Sequence, residues 1–89
     1  MQRTDIVIPN KLGLHARAAA KFVNLASQFK SEITVTRNGQ DVNGKSIMGI
    51  MMLAAGKGSK LLLAADGADE QQALTALRAL IENRFGEDE

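Results

Sequence analysis

The sequence predicts an α+β fold with the element order βαββαβα, in which helices cover one face of a sheet. Two periodicities support this prediction. Residues 32–37, EITVTR, alternate strictly between polar and apolar positions, which is typical of a strand with one buried face. From residue 16 onward, apolar side chains recur at helical spacing, at Ala19, Phe22, Ala26 and Phe29. Short segments with one apolar face each pack as a sheet with helices on one side.

The first half of the chain contains a strand, a helix and a hairpin. The run DIVIP alternates and stops at Pro9, which predicts a short strand. NKLGLH follows as a loop, and the first helix runs from Ala16 to near Lys30. The pair Asn38-Gly39 is the strongest short signal for a hairpin. It returns the chain through QDV, the third strand after DIVIP and EITVTR.

The second half contains a short helix, a strand and a longer helix. Ser46 is well placed as the N-cap of a short helix over IMGIMML. KLLLAA is almost entirely apolar, which predicts a strand at the centre of the sheet. Asp69, with Gln72 three residues later, forms a variant of the capping box, and the last helix extends to near Arg84. Its buried stripe contains Leu74, Leu77 and Ile81, with Leu80 beside it.

Length and composition limit the classes of function. The 89 residues form one domain, 1–89, without room for a separate catalytic lobe. The absence of cysteine excludes disulfides and thiolate metal sites, and the single histidine has no carboxylate at helical spacing. We therefore expect neither a metal nor a cofactor. Without a signal peptide or an apolar stretch long enough to span a membrane, the chain is expected to be cytoplasmic, and we also expect a monomer.

Charge is unevenly distributed along the chain. Residues 1–60 contain nine Lys or Arg against three Asp or Glu, a net +6, whereas residues 61–89 contain two against seven, a net −5. This predicts a basic face for an acidic partner or a phosphate, and an acidic end, GEDE (86–89), that forms a solvated tail. A small basic RNA-binding α/β domain is the alternative from another class. The sequence has no Trp or Tyr, and its three Phe read as core, so base-stacking platforms are missing and we expect no nucleic acid.

Residues 39–46, GQDVNGKS, match the P-loop pattern G-x-x-x-x-G-K-S letter for letter. A functional P-loop joins a buried parallel strand to a long helix and cradles phosphates between them. Here the first glycine belongs to a hairpin signal, and the following residues alternate like a returning strand. The chain is also too short for a nucleotide-binding sheet with a second, acidic strand. We therefore interpret the match as a coincidence.

The only histidine, His15, lies in GLHARAAA, where a loop meets the first helix. The first N–H groups of a helix have no partner within it, and the helix dipole favours an anion there, so a phosphate can bind. The same dipole disfavours a positively charged ring, which leaves a neutral nitrogen able to attack phosphorus. Arg17 adds a planar cation for phosphate oxygens. These features predict a reversible phosphoryl carrier, and the alternative is that His15 merely caps the helix and Arg17 is solvated.

The segment GLHARAAA resembles the phosphohistidine signature of the HPr family, the phosphocarriers of the bacterial phosphoenolpyruvate:sugar phosphotransferase system. The resemblance covers nearly the whole chain. It implies a two-layer open-faced sandwich, in which three helices cover one face of a four-stranded antiparallel sheet. It also implies that phosphorylated enzyme I phosphorylates His15 at Nδ1, that Arg17 stabilises the phosphate, and that the group passes to the A component of an enzyme II. Such a protein is a stoichiometric carrier, not an enzyme. The nitrogen-regulatory paralogue NPr shares this histidine and is the alternative within the family.

Two further positions bear on the resemblance. The family usually has proline directly after the arginine, where this chain has Ala18; because alanine also favours a helix, we expect little loss of function. The segment GKSIMGIMML resembles the regulatory segment of HPr proteins from bacteria with HPr kinase/phosphorylase, in which the serine matching Ser46 is phosphorylated. A phosphate at Ser46 would reverse the charge of a basic surface that faces partners.

A docking surface for partner proteins is predicted near both sites. A helix of two turns cannot bury all of its methionines, so we expect Met48 and Met51 to face solvent. With Leu14 and Ile47 they would form an adaptable apolar patch. Basic residues around this patch would steer partners toward it. This basic rim consists of Lys11, Arg17, Lys21 and Lys45.

Overall fold

Four strands form one antiparallel sheet in the computed structural model, which describes residues 1–88. They are β1 (Gln2–Val7), β2 (Glu32–Arg37), β3 (Gln40–Asn43) and β4 (Lys60–Asp66), arranged in the order β1-β4-β2-β3. Every neighbouring pair is antiparallel. The predicted central position of KLLLAA is confirmed, because β4 pairs with both β1 and β2.

Three helices pack against this sheet: α1 (Ala16–Ala26), α2 (Ile47–Met52) and α3 (Glu70–Glu82). A 3₁₀ turn over Arg84–Gly86 follows α3. The predicted α+β fold, an open-faced sandwich with the order βαββαβα, is confirmed. Within residues 1–88, none of the helices combines the length and the apolar character that crossing a bilayer requires.

The core lies between the sheet and the helices. Alternate residues of the central strands point into it, so that Val35 and Leu63, which are paired neighbours in β2 and β4, are fully buried. Phe22 of α1 belongs to the same hydrophobic cluster. On the opposite face, the paired residues Thr34 and Ala64 are only half-buried. The helices therefore cover one face of the sheet, as the alternation in EITVTR predicts.

Several element boundaries differ from the predicted ones by one to four residues, and three of these differences have a clear cause. β1 begins at Gln2, before the run DIVIP, because the polar residues ahead of this run also pair with β4. α1 ends at Ala26 and not near Lys30, because the N–H groups of Gln28 and Phe29 bond to carbonyl oxygens three residues back, which ends the α-helical geometry. α3 ends at Glu82, because Arg84 has a left-handed backbone (φ 54°).

Asp69 does not form the predicted capping box at the start of α3. It is the N-cap residue, but its side chain makes no capping bond. Its carboxylate instead accepts hydrogen bonds from the N–H groups of Lys30 (2.8 Å) and Ser31 (3.0 Å) and from the Ser31 hydroxyl (2.5 Å). These bonds, the one from the hydroxyl foremost, lower the pKa of Asp69 to about 2. The capping prediction is wrong because the Asp69 carboxylate accepts its hydrogen bonds from the loop between α1 and β2.

The hairpin predicted at Asn38-Gly39 is present, with the positive φ at both residues (51° and 81°) that a type I′ turn requires. It joins β2 to β3, the edge strand. The P-loop-like stretch 39–46 therefore consists of this turn, strand β3 and the N-cap of α2. An antiparallel strand occupies the position of a phosphate-cradling loop, so the stretch does not have the architecture of a P-loop.

Candidate functional site

His15 lies at the N-terminus of α1. Its backbone is extended (φ −70°, ψ 176°), and its carbonyl oxygen accepts the first intrahelical hydrogen bond, from the Ala19 N–H at 2.8 Å. The three N–H groups between these residues therefore have no acceptor within the helix. The ring makes no capping bond, so His15 caps α1 through its backbone alone. With 26 % of its side chain exposed, His15 is a partly accessible imidazole at a helix start.

Leu14 belongs to the core and not to the predicted docking patch. Its side chain is only 7 % exposed, and its N–H donates to the Ala55 carbonyl oxygen at 2.8 Å. The preceding Gly13 explains this burial, because it has a left-handed backbone (φ +65°) and a Cβ there would lie 2.4 Å from the Ala55 oxygen. The loop thus packs closely against the segment that follows α2, and Leu14 turns inward.

The C-terminal segment folds back onto His15. Oε2 of Glu87 is hydrogen-bonded to Nε2 of His15, and Oε1 accepts a hydrogen bond from Nδ2 of Asn10 at 2.9 Å. These bonds, first that from Asn10 and then that of His15, lower the pKa of Glu87. The predicted solvated tail is therefore wrong for Glu87, which is 13 % exposed because two polar partners hold it. Asp88 is exposed as predicted, and Glu89 lies outside the described residues.

A left-handed turn after α3 directs Glu87 toward the ring. Arg84, Phe85 and Gly86 have φ angles of 54°, 55° and 78°, a conformation that costs about 1–2 kcal/mol for each residue with a Cβ. The Phe85 side chain is buried in the core, and its carbonyl oxygen accepts a hydrogen bond from Nζ of Lys21 at 2.7 Å. These two contacts stabilise the turn. The Lys21 ammonium, predicted for the basic rim, is thus bound to the backbone, and its contact with partners stays a prediction.

Arg17 and Lys11 lie on the surface around Glu87. Together with Leu12 and Glu87 they line a cavity of about 280 Å³. Arg17 is exposed, and within the described part of the chain no hydrogen bond joins its guanidinium to His15. The structure therefore brings Arg17 to the carboxylate that binds His15, and its role as a phosphate ligand stays a prediction.

Helix α2 presents the predicted apolar patch. Ile47, Met48 and Met51 are exposed, Met48 by 77 %. Met52 is exposed as well and was missed, because a helix of six residues buries only Ile50. Leu12 is also exposed and was missed, because it lies in a loop without periodicity and no sequence pattern predicts its exposure. The exposure agrees with the prediction for three of the four patch residues, and their docking role stays a prediction.

Ser46 lies at the start of this patch. Its hydroxyl accepts a hydrogen bond from the Gly49 N–H at 3.1 Å, so the predicted N-cap is confirmed. The neighbouring Lys45 is half-buried, and its Nζ donates to the Phe29 carbonyl oxygen at 2.7 Å. The Lys45 ammonium, predicted for the basic rim, is thus bound to the turn after α1, and its contact with partners stays a prediction.

The described residues, 1–88, include no group of three or more His, Cys, Asp or Glu placed to hold a metal ion. The expectation that the protein needs neither a metal nor a cofactor stays a prediction. Phe22 and Phe85 are buried and Phe29 is half-buried, in agreement with their predicted core positions. The surface of the described chain therefore offers no fully exposed aromatic ring for base stacking.

Comparison with known proteins shows similarity along the whole chain. A family model described as the PTS HPr component phosphorylation site, PTS-HPr, matches residues 2–83. The phosphocarrier proteins HPr of Cupriavidus necator and Neisseria meningitidis are 60% and 61% identical over 89 residues, which is 100% of each chain compared.

Solved structures agree with this similarity. A crystal structure of HPr-C-His from Thermoanaerobacter tengcongensis matches with a TM-score of 0.97 and 50% identity, covering 100% of both chains. A structure described as an HPr dimer from the same organism matches with a TM-score of 0.79 and 52% identity, over 98% of this chain and 100% of the other. The similarity therefore extends to every strand and helix of the sandwich.

Proposed function

Because the chain belongs to the HPr family of phosphocarrier proteins, we propose that Nδ1 of His15 accepts a phosphoryl group from phosphorylated enzyme I and passes it to the A component of an enzyme II. In this proposal the chain is a stoichiometric carrier of the phosphoenolpyruvate:sugar phosphotransferase system. It is the substrate of one protein and the donor to the next, and it acts as a cytoplasmic monomer.

The position of the His15 ring is the observation that supports this proposal best. The ring is partly exposed at the start of α1, and its Nε2 is hydrogen-bonded to Glu87. Nδ1 is therefore the nitrogen available to form a bond to phosphorus. The N–H groups ahead of Ala19 would donate to the phosphoryl oxygens. Arg17, on the surface around Glu87, would bind these oxygens through its planar guanidinium.

In the transfer step, the lone pair of Nδ1 forms a bond to phosphorus while the bond between phosphorus and the donor breaks. The electron pair of the broken bond stays with the donor. Helix N–H groups and a guanidinium that are in place beforehand would stabilise the charge on the oxygens of the transferred group. Transfer to the acceptor protein is the same step in reverse, with the electron pair returning to Nδ1.

Incubation with phosphoenolpyruvate and enzyme I tests this proposal. We expect the intact mass to rise by one phosphoryl group, the adduct to be lost in acid, and His15→Ala to stay unmodified. Arg17→Ala should accept the group more slowly, whereas Arg3→Ala, which removes the same charge from the exposed outer face of β1, should not. An acid-stable adduct, or modification of His15→Ala, would contradict the proposal.

Regulation through Ser46 is the second part of the proposal. The exposed patch of α2 would dock partner proteins, and phosphorylation of Ser46 by HPr kinase/phosphorylase would weaken that docking. Ser46 directly precedes exposed Ile47 and Met48, so a phosphate would add a charge of about −1.5 to −2 at the edge of the patch. An acidic partner, attracted by the basic half of the chain, would be repelled by this charge.

Two isosteric variants isolate the charge at Ser46. Ser46→Asp and Ser46→Asn can both cap α2, but only aspartate adds a charge. We expect Ser46→Asp to slow phosphorylation of His15 by enzyme I and Ser46→Asn to retain the rate of the unchanged protein. Equal rates for the two variants would contradict regulation by charge at this position.

A further inference from the structure

The carboxylate of Glu87 lies between two hydrogen-bond donors. Asn10 is fully buried, and its Nδ2 donates to the Gly13 carbonyl oxygen and to Oε1 of Glu87, each at 2.9 Å. Two acceptors therefore set the orientation of the Asn10 amide. Because its hydrogen bonds lower the pKa of Glu87, this carboxylate is ionised at neutral pH and only accepts. Nε2 of His15, which faces its other oxygen, must carry a hydrogen.

The segment that carries Glu87, residues 84–88, is held in place by contacts that do not involve His15. We call it the C-terminal strap. Backbone N–H groups of Gly86 and Glu87 donate to the carbonyl oxygens of Asn83 (3.0 Å) and Arg84 (2.9 Å), and Nη1 of Arg84 donates to the Asp88 carbonyl oxygen at 2.9 Å. The buried Phe85 ring anchors the strap in the core. A left-handed turn persists only where its surroundings enforce it, and such turns concentrate at functional sites.

We propose that Glu87 is a positioning residue for phosphoryl transfer: it holds His15 in the tautomer with hydrogen on Nε2 and stabilises the ring cation that forms when Nδ1 is phosphorylated. This role rests on the proposed function of His15. As Nδ1 bonds to phosphorus and the donor's bond to phosphorus breaks, the ring keeps its Nε2 hydrogen and gains a positive charge. The Glu87 carboxylate stabilises that charge without taking the proton, as an orienting carboxylate does for the histidine of a Ser-His-Asp triad.

A glutamine could not replace Glu87 in this arrangement. Its amide has one acceptor oxygen and one donor nitrogen, whereas Asn10 and His15 both present hydrogens. The nitrogen would face a second donor on one side or the other, and one of the two hydrogen bonds would be lost. The neighbouring Asp88 supplies the matched control, since its exposed side chain carries the same charge one residue further along the strap.

The test compares Glu87→Ala, Glu87→Gln and Asp88→Asn in the full chain. ¹⁵N NMR of the unphosphorylated protein measures the tautomer of His15, and the initial rate of modification by enzyme I measures phosphoryl acceptance. We expect both Glu87 variants to gain Nδ1–H tautomer and to lose about tenfold in rate, the lower end of the loss seen when the hydrogen-bond partner of a metal-binding histidine is removed. Asp88→Asn should match the unchanged protein in both measurements.

Each outcome separates this role from the proposed function. An unchanged tautomer or an unchanged rate in Glu87→Ala, with His15→Ala inert, would overturn the role of Glu87 and leave the function of His15 intact. A rate for Glu87→Gln equal to that of the unchanged protein would overturn the requirement for a carboxylate. Phosphorylation of His15→Ala would overturn the proposed function and the role of Glu87 together. Thermal unfolding by far-UV circular dichroism verifies that each variant is folded.

Discussion

The structure separates Leu14 from Met48, which the sequence assigns to one docking patch, and this separation can be measured. Leu14 is 7 % exposed and belongs to the core cluster, whereas Met48 is 77 % exposed on α2. Truncating a buried leucine to alanine removes its transfer free energy and leaves a cavity, which together cost about 2–5 kcal/mol. Exposed side chains change stability by only about 0.5 kcal/mol. For a domain of this size, Leu14→Ala should lower the melting temperature by about 10 °C or more, and Met48→Ala by a few degrees at most.

Far-UV circular dichroism is the suitable probe of these two variants, because the chain contains no Trp and no Tyr whose fluorescence could report unfolding. Urea titrations give the free energy of unfolding, and the rate of phosphorylation by enzyme I is measured at a temperature at which both variants are folded. We expect Leu14→Ala to lower the free energy of unfolding. We expect Met48→Ala to weaken docking, which would raise the KM of enzyme I for this variant. A Leu14→Ala protein with an unchanged urea midpoint would refute the assignment of this side chain to the core.

Three further predictions concern the acid range, the loop before α1 and the helix start. Because the pKa of Asp69 is lowered from 3.8 to about 2, its stabilising effect is present above about pH 4 and lost as the pH falls toward 2. In urea titrations, Asp69→Asn should have a lower free energy of unfolding at pH 7, and this free energy should fall less between pH 4 and pH 2 than in the unchanged protein. An equally steep fall in both proteins would contradict this prediction. Gly13→Ala places a Cβ 2.4 Å from a carbonyl oxygen and should lower the free energy of unfolding by more than about 1 kcal/mol. Gly56→Ala, whose Cβ has no neighbour within 4 Å, should not lower it. Equal melting temperatures for the two variants would contradict the close approach at Gly13. Ala18→Pro should still accept a phosphoryl group from enzyme I, because the Ala18 N–H precedes the first intrahelical bond, and an inactive variant would argue against a helix start at Ala16.

The sheet and the order of elements could be predicted because their signals are local. The alternation in EITVTR and the apolar run KLLLAA each depend on neighbours one or two residues away, and the structure places both in the centre of the sheet. The N-cap role of Ser46 was predictable for the same reason, since its partner Gly49 lies three residues on. Local rules failed where a residue of the expected type had a distant partner. Asp69 has the right identity for a cap, yet its partner Ser31 is 38 residues away.

The candidate site shows the same division. The position of His15 at a helix start follows from the loop and the alanine-rich segment beside it. The contact with Glu87 joins residues 72 positions apart, and it depends on a left-handed turn that no glycine-rich or Asn-Gly signal announces at Arg84 and Phe85. Charge alone indicates a solvated tail for GEDE, because a run of acidic residues is usually hydrated. The buried Asn10 amide, which has no charge and no periodicity, is what changes this outcome.

An acidic side chain at a site proposed to bind phosphate has a physical explanation in the two edges of the imidazole ring. Glu87 occupies the Nε2 edge, whereas the phosphoryl group would occupy the Nδ1 edge, near the N–H groups of α1, so the ring separates the two anions. Lys11 and Arg17 line the cavity with Glu87, and Lys21 also lowers the pKa of Glu87, so three basic residues lie around this carboxylate. In this proposal the carboxylate would favour acceptance by stabilising the ring cation, and the repulsion that remains between the two anions across the ring would favour release. A carrier that must pass on what it receives requires these two effects to be of similar size, since a site that favoured only binding would retain the group.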